Sequence, residues 1–184
     1  MARAPAIDIA KLSAEQKRVR DEIAKRIPRP GGEVRGPFAV MLHAPAVADG
    51  AIRTYTAFRE AKIERRLFEL MILVVARYHG AQYEWYAHGP RSIEAGIAPE
   101  VIEAIRNRRT PVLTRDDEKM VYDTVTELCV SRRLSQASYD RALAALGMEC
   151  LVELIAGTGF YTMIALTLNA FDVPVPDGPR PLPD

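Results

Sequence analysis

Apolar residues recur along this chain at three- and four-residue intervals, and no stretch alternates with the period of two that a half-buried strand needs. Leu12, Val19, Ile23 and Ile27 mark a first helix from about Ala14 to Ile27, opened by Ser13 and Gln16 at capping-box spacing. Pro28, Pro30, Gly31, Gly32, Gly36 and Pro37 then break the pattern, because proline removes a backbone donor and glycine opens conformations closed to other residues. This loop is the internal hinge that the sequence suggests. A short helical turn over Phe38 to His43 stops at Pro45, and Val47, Ile52, Tyr55 and Phe58 space out a second long helix. From Leu67 to Tyr78 nearly every position is apolar except Glu69 and Arg77, so this helix is expected to be buried round most of its circumference and its two charges to need partners.

Ala81 to Ala95 reads as the next helix, closed by Gly96, and Pro99 opens another through Arg108, which together make a helical hairpin with tight turns. Thr114, Asp116 and Asp117 start a helix to about Val130, Ser135 caps one through Leu146, and Met148 to Phe171 supplies the last. The expected class is therefore all-α, a helical bundle around an antiparallel hairpin core. One domain is expected over 1–184, with an N-terminal helix and loop to residue 36. The tail from residue 172 is too proline-rich for helix and is expected to run extended, across a neighbouring subunit.

Length and charge narrow the function classes. A chain of 184 residues buries a substantial core without disulfides or metal. With 25 Lys+Arg against 24 Asp+Glu, no global field draws it to nucleic acid or anionic lipid, so neither is an expected partner. Cys129 and Cys150 are too far apart in sequence for a redox or zinc pair and fit buried thiols in a reducing cytosol, which makes a cytoplasmic location the expectation. The first eleven residues lack the apolar centre of an export signal. The most apolar stretch, Leu151 to Phe171, contains Glu153, two glycines and Asn169 and reads as a core or interface helix, not a membrane span.

Few residues carry candidate chemistry. His88 stands four residues after Glu84, which puts both on one helical face, where a carboxylate can hold the imidazole's tautomer and make it a proton shuttle near neutral pH. A solvated surface pair has the same spacing. Trp85, Tyr83 and Tyr86 flank the pair and suit either a pocket wall or plain packing. Glu69 is harder to dismiss, since a carboxylate in a buried helix is costly unless paired or sharing a proton. Arg77, about two turns further on, is placed to face the same site or to bridge Glu69 structurally. His43 closes a short helix, where capping alone accounts for it, and His79 at a helix end ranks below it. Glu69, Glu84, His43 and His88 contain the donor types of a metal site, but their spacing does not force one, and no bound metal or organic cofactor is expected. Neither a Gly-x-Ser-x-Gly elbow nor a phosphate-cradling glycine loop occurs.

The stretch from Arg65 to His88, continuing through Ser92 to Ile102, resembles the signature of the carboxymuconolactone decarboxylase family, within the alkyl hydroperoxidase D (AhpD) superfamily. Two further segments, Gly36 to Pro45 and Gly159 to Pro174, resemble that family's longer members. The AhpD branch carries Cys-x-x-Cys-x-x-x-His, preceded by a glutamate twelve residues before the first cysteine. Glu69 and His88 match this motif, whereas Ala81 and Glu84 occupy the two cysteine positions. A peroxide-reducing dithiol is thus absent unless Cys129 or Cys150 enters the site.

The resemblance implies an AhpD-like helical bundle that assembles as a homo-oligomer: dimer, trimer or hexamer. It also implies a cofactor-independent lyase that decarboxylates a small carboxylated lactone or conjugated acid from aromatic catabolism. In that reading His88 is the general acid/base, Glu84 its orienting partner and Glu69 a further proton carrier. His43, Arg77, Trp85 and Tyr83 are then the substrate contacts. The alternatives are a hydroperoxidase-fold protein that has lost peroxidase activity and acts as a hydratase, an isomerase or a metal-assisted enzyme, or a non-catalytic binding protein.

Overall fold

The computed structural model describes residues 2–176, 178 and 180–183, and among them every regular element is helical. Eight α-helices follow in order: α1 Ala14–Arg26, α2 Pro37–Met41, α3 Pro45–Arg59, α4 Arg65–His79, α5 Gln82–Glu94, α6 Pro99–Arg106, α7 Asp116–Ser131 and α8 Gln136–Ala170. The chain divides into two compact units, Met1–Glu60 with Thr167–Pro174, and Ala61–Leu166 with Val175–Asp184.

In the first unit the capping box forms as its spacing predicts. Ser13 Oγ accepts from the Gln16 amide, and Gln16 Oε1 accepts from the Ser13 amide. The Gln16 side-chain amide also donates to the Leu42 carbonyl, tying the start of α1 to the end of α2. Val19 and Ile23 of α1 and Ala48 and Ile52 of α3 are buried, which gives this unit its apolar seam. Phe38 meets Tyr55 edge to face at 5.9 Å.

The second unit is built round α4. Every residue from Arg66 to Arg77 is buried, and α5, α6 and α7 all pack on this helix. A helix without a solvent face must neutralise each charge it carries. Arg66 achieves this against α7: its guanidinium lies 2.6 Å from both Asp117 and Glu118 and 3.0 Å from Glu64. Burial works against the charge of Arg66, but its hydrogen bonds to Asp117, Glu64 and Glu118 hold its pKa above the ordinary arginine value.

The last helix breaks where the sequence pattern breaks. Gly147 adopts φ 73° and ψ 168°, a region closed to residues with a Cβ, so α8 bends there into two segments. Length and apolar composition alone would let α8 cross a bilayer, and half of its most apolar window is buried inside the protein, as a core helix's is. Glycine recurs at position 157, where an added Cβ would stand 2.8 Å from Met71 Cε and 2.9 Å from Phe68 Cε2. The backbone of α8 thus lies directly on two α4 side chains.

The described part of the tail contains no helix, as expected, while Asp177, Pro179 and Asp184 lie outside the described residues. Leu182 exchanges two hydrogen bonds with the Gln82 side chain, at 2.8 and 3.1 Å, and Arg106 Nε donates to the Pro181 carbonyl. The Leu182 side chain is buried against the same chain.

Candidate functional site

α4 and α5 meet through one short contact. His88 Nδ1 lies 2.8 Å from Glu69 Oε2, with both side chains buried. A carboxylate only accepts, so the proton of this bond sits on Nδ1 when the imidazole is neutral, and Nε2 carries the lone pair. Burial lowers the His88 pKa and Glu69 counters it, while Arg91 and Arg65 lower it further; the balance lies below the ordinary histidine value. At neutral pH His88 is therefore an uncharged imidazole with its basic nitrogen fixed.

The other Glu69 oxygen, Oε1, faces Arg65 Nη2 at 2.5 Å, an ion pair one turn along α4. A half-exposed arginine thus offsets the charge of a carboxylate that is itself wholly buried. The His88 ring stands edge-on to the Tyr161 ring at 5.3 Å, and Tyr161 in turn meets Phe68 at 5.9 Å. Ser92 Oγ donates to the His88 carbonyl at 2.8 Å.

Glu84 does not do what its spacing suggests. Both of its carboxyl oxygens are buried without a hydrogen-bond partner, and burial pushes its pKa well above the usual carboxylate range. The orienting partner of His88 is Glu69, across helices, rather than Glu84 one turn away on α5. Glu84 is instead a buried carboxyl on the same helical face that burial biases toward its protonated form, in which it gives a proton where an ionised carboxylate would only accept.

Arg77 is not brought to Glu69 either. Eight residues are 2.2 helical turns, which leaves the two side chains about 80° apart round the axis of α4. The charged neighbours of Arg77 are Arg108 and Arg106; burial together with these two cations lowers its pKa, and its Nε has no acceptor among the described residues. A Glu69–Arg77 bridge is thus replaced by Glu69–Arg65. His43 belongs to the first unit, exposed, with Nε2 donating to the Pro5 carbonyl at 3.1 Å. Trp85 and Tyr83 are buried on α5, and Tyr83 meets Tyr86 at 6.3 Å.

Two cavities are described. One, of about 460 Å³, is lined by His79, Cys129 and Arg132 among others; the second, of about 800 Å³, lies in the first unit. Neither is lined by Glu69, Glu84 or His88. Among the described residues no three His, Cys, Asp or Glu side chains come together as a metal ligand set. The thiols are not activated: burial pushes Cys129 up to about 11, and burial with Glu153 and Glu149 raises Cys150.

Sequence reasoning missed three groups around the imidazole. Arg65 had a signal, since it precedes Glu69 by four residues, and Ser92 follows His88 by four. Tyr161 had none, because its approach depends on how α8 lies on α4.

No protein-family model matches the chain, and no curated protein sequence matches it either. The chain is similar in structure to a crystal structure from Ralstonia eutropha JMP134 described as an alkylhydroperoxidase AhpD core, an uncharacterized peroxidase-related protein. The TM-score is 0.74 at 18% identity, over 96% of this chain and 93% of that one. At that identity the likeness concerns the backbone alone, and it is nearly complete: the chain has the all-helical AhpD-like fold.

Proposed function

We propose that the chain is a cofactor-independent proton-transfer enzyme, of the carboxy-lyase type, acting on a small carboxylated lactone or conjugated acid. One observation carries the reading: the 2.8 Å bond between His88 and Glu69, inside a buried setting, dedicates Nε2 to proton exchange. Glu84, one turn away and biased by burial toward its protonated form, supplies the complementary acid.

The chemistry balances with these groups alone. As the carbon–carbon bond to the carboxylate breaks, carbon dioxide leaves and the electron pair passes into the conjugated system of the substrate. The Glu84 carboxyl gives its proton to the carbon and regains one from solvent. His88 Nε2 takes up or returns a proton on the substrate as its charge shifts, with Glu69 stabilising the imidazolium while it lasts. A carboxylated substrate needs a cation, and Arg65, half-exposed beside Glu69, is the arginine at the dyad.

The thiol peroxidase alternative has no chemistry to stand on, with Ala81 and Glu84 in the cysteine positions and both actual thiols held protonated. A binding protein on the same fold is the second reading.

The reading includes a homo-oligomer. Met148, Val152, Ile155, Met163 and Leu166 recur at helical spacing along α8 and are all at least 37% exposed, an apolar stripe suited to a second copy of the chain.

The deciding experiment is turnover of a panel of carboxylated lactones and conjugated enol acids by metal-free protein. Wild type is compared with His88→Ala, Glu69→Gln and Glu84→Gln. Release of carbon dioxide or isomerisation that falls about a hundredfold or more in the His88 and Glu69 variants supports the assignment. Turnover that survives both variants, or appears only on adding iron, manganese or zinc, overturns it; inertness throughout leaves the binding-protein reading.

A further inference from the structure

The first unit forms a half-open cavity of about 800 Å³, within the 300–1,000 Å³ range of small-molecule sites. One wall is the N-terminal arm, residues 2–12, which contributes Ala4, Ala6 and Ile7; the facing walls are α1 and α2, with Ala24 and Ala39. Alanines at these places leave the space unfilled, because a methyl group does not reach across it.

The arm is held at two points. His43 Nε2 donates to the Pro5 carbonyl at 3.1 Å, while the Arg3 amide and guanidinium donate to the Phe171 and Ala170 carbonyls at 2.8 and 3.0 Å. These are exposed hydrogen bonds, individually weak, so the wall can open without unfolding the helices behind it. His43, on this reading, closes a pocket.

The charge of the lining selects the occupant. Three ionisable side chains reach the cavity, and each is answered locally: Arg20 donates to Asp21 at 2.9 Å, and Glu33 pairs with Arg35 at 2.6 Å. A charged ligand would find no spare counter-ion there, whereas an apolar body with an uncharged polar tip loses nothing.

We propose that this cavity binds a small neutral molecule with an extended apolar body, of the class of medium-chain alcohols or esters. The site is independent of the dyad and of the reaction proposed for it.

The test uses the full chain with n-octanol and its anionic analogue octanoate, followed by ligand-observed NMR and calorimetry. Saturable octanol binding is expected, with octanoate at least about tenfold weaker. Filling the space with Ala39→Phe should cut octanol affinity by at least about tenfold in protein that thermal denaturation shows to be folded. Ala24→Leu serves the same purpose on α1 if the first variant does not fold. No saturable octanol binding, octanoate binding as tightly, or unchanged affinity in a folded filling variant would each overturn the proposal.

Discussion

Glu69 binds His88 at one oxygen and Arg65 at the other, so a single buried carboxylate links the imidazole of α5 to a half-exposed cation on α4. The link fixes the imidazole's tautomer. The first expected outcome follows from treating the three as one unit. In any reaction the protein catalyses through His88, Glu69→Gln lowers kcat/KM by about 10²- to 10⁴-fold, because an amide can turn its NH₂ to the ring and capture the wrong tautomer. The Glu69→Gln/His88→Ala double variant should then lose about as much as the worse single one, not the product of the two. Steady-state kinetics on the four proteins measures this directly; additive losses would separate the roles.

The acid limb of the pH profile should belong to His88. Its pKa in the folded chain lies below the ordinary value of 6.5, chiefly through burial, so the neutral base persists as pH falls through 6.5 and is lost only lower down. Stability follows the same sign. A histidine whose folded pKa is depressed contributes fully above 6.5 and loses that contribution as pH falls toward the folded value, because the unfolded chain takes the proton first. His88→Gln should therefore flatten melting temperature against pH below about 6.5.

Glu84 carries the opposite sign. Its folded pKa stands well above the usual 4.5, so above that pH the unfolded chain releases a proton that the folded chain keeps. The stability present at pH 4.5 is thus lost progressively as pH rises through the window up to the folded pKa. Glu84→Gln replaces the neutral acid by a neutral amide of the same shape and abolishes that loss. Its melting temperature should exceed wild type by a margin that widens as pH rises from about 4.5 toward the folded pKa, with each kcal/mol worth about 2–4 °C in a chain of this size. A margin independent of pH would mean that Glu84 is ionised in the fold.

The helices were legible because α4 is a long apolar run, the hairpin after it is bounded by glycine and proline, and the break at Gly147 separates two runs as the pattern predicts. Glu69 and His88 were legible too, one as a charge in an apolar helix and the other through the resembling motif. Their pairing was not. A histidine finds its partner across a helix–helix contact, and spacing within α5 pointed to Glu84 instead. Whether Glu84 is charged depends on how much water reaches it, which periodicity does not encode. Arg77 failed for a related reason: two turns is near enough to suggest a shared face, yet the helical phase and the neighbouring α6 send it toward Arg106 and Arg108.

Arg66 should be the most expensive charge to remove. Its side chain is 2% exposed and satisfies Glu64, Asp117 and Glu118 at once, the last of these buried with it. Arg66→Met strands those carboxylates and is expected to cost about 3–5 kcal/mol in urea denaturation. Arg66→Lys should recover only part of this, since an ammonium does not reproduce the planar fork that reaches three acceptors. Full recovery with lysine would reduce the cluster to simple charge balance.

Gly157 tests the packing that brings Tyr161 to His88. A Cβ there meets the flexible end of Met71 and the stiff ring of Phe68 at under 3.0 Å, and methionine yields more readily than phenylalanine. Gly157→Ala gains up to about 1 kcal/mol of helix propensity, which offsets part of the crowding, so a near-neutral change is expected. Gly157→Val adds branches that cannot avoid the Phe68 ring and should cost about 1–3 kcal/mol as α8 moves off α4. Because Tyr161 lies one helical turn further along α8 and touches both Phe68 and His88, that movement should also disturb the imidazole. The His88 ring-proton resonances are the readout: they should shift in the valine variant and stay in place in the alanine one. Shifts absent from a destabilised Gly157→Val would mean that Tyr161 follows α4 rather than the backbone of its own helix.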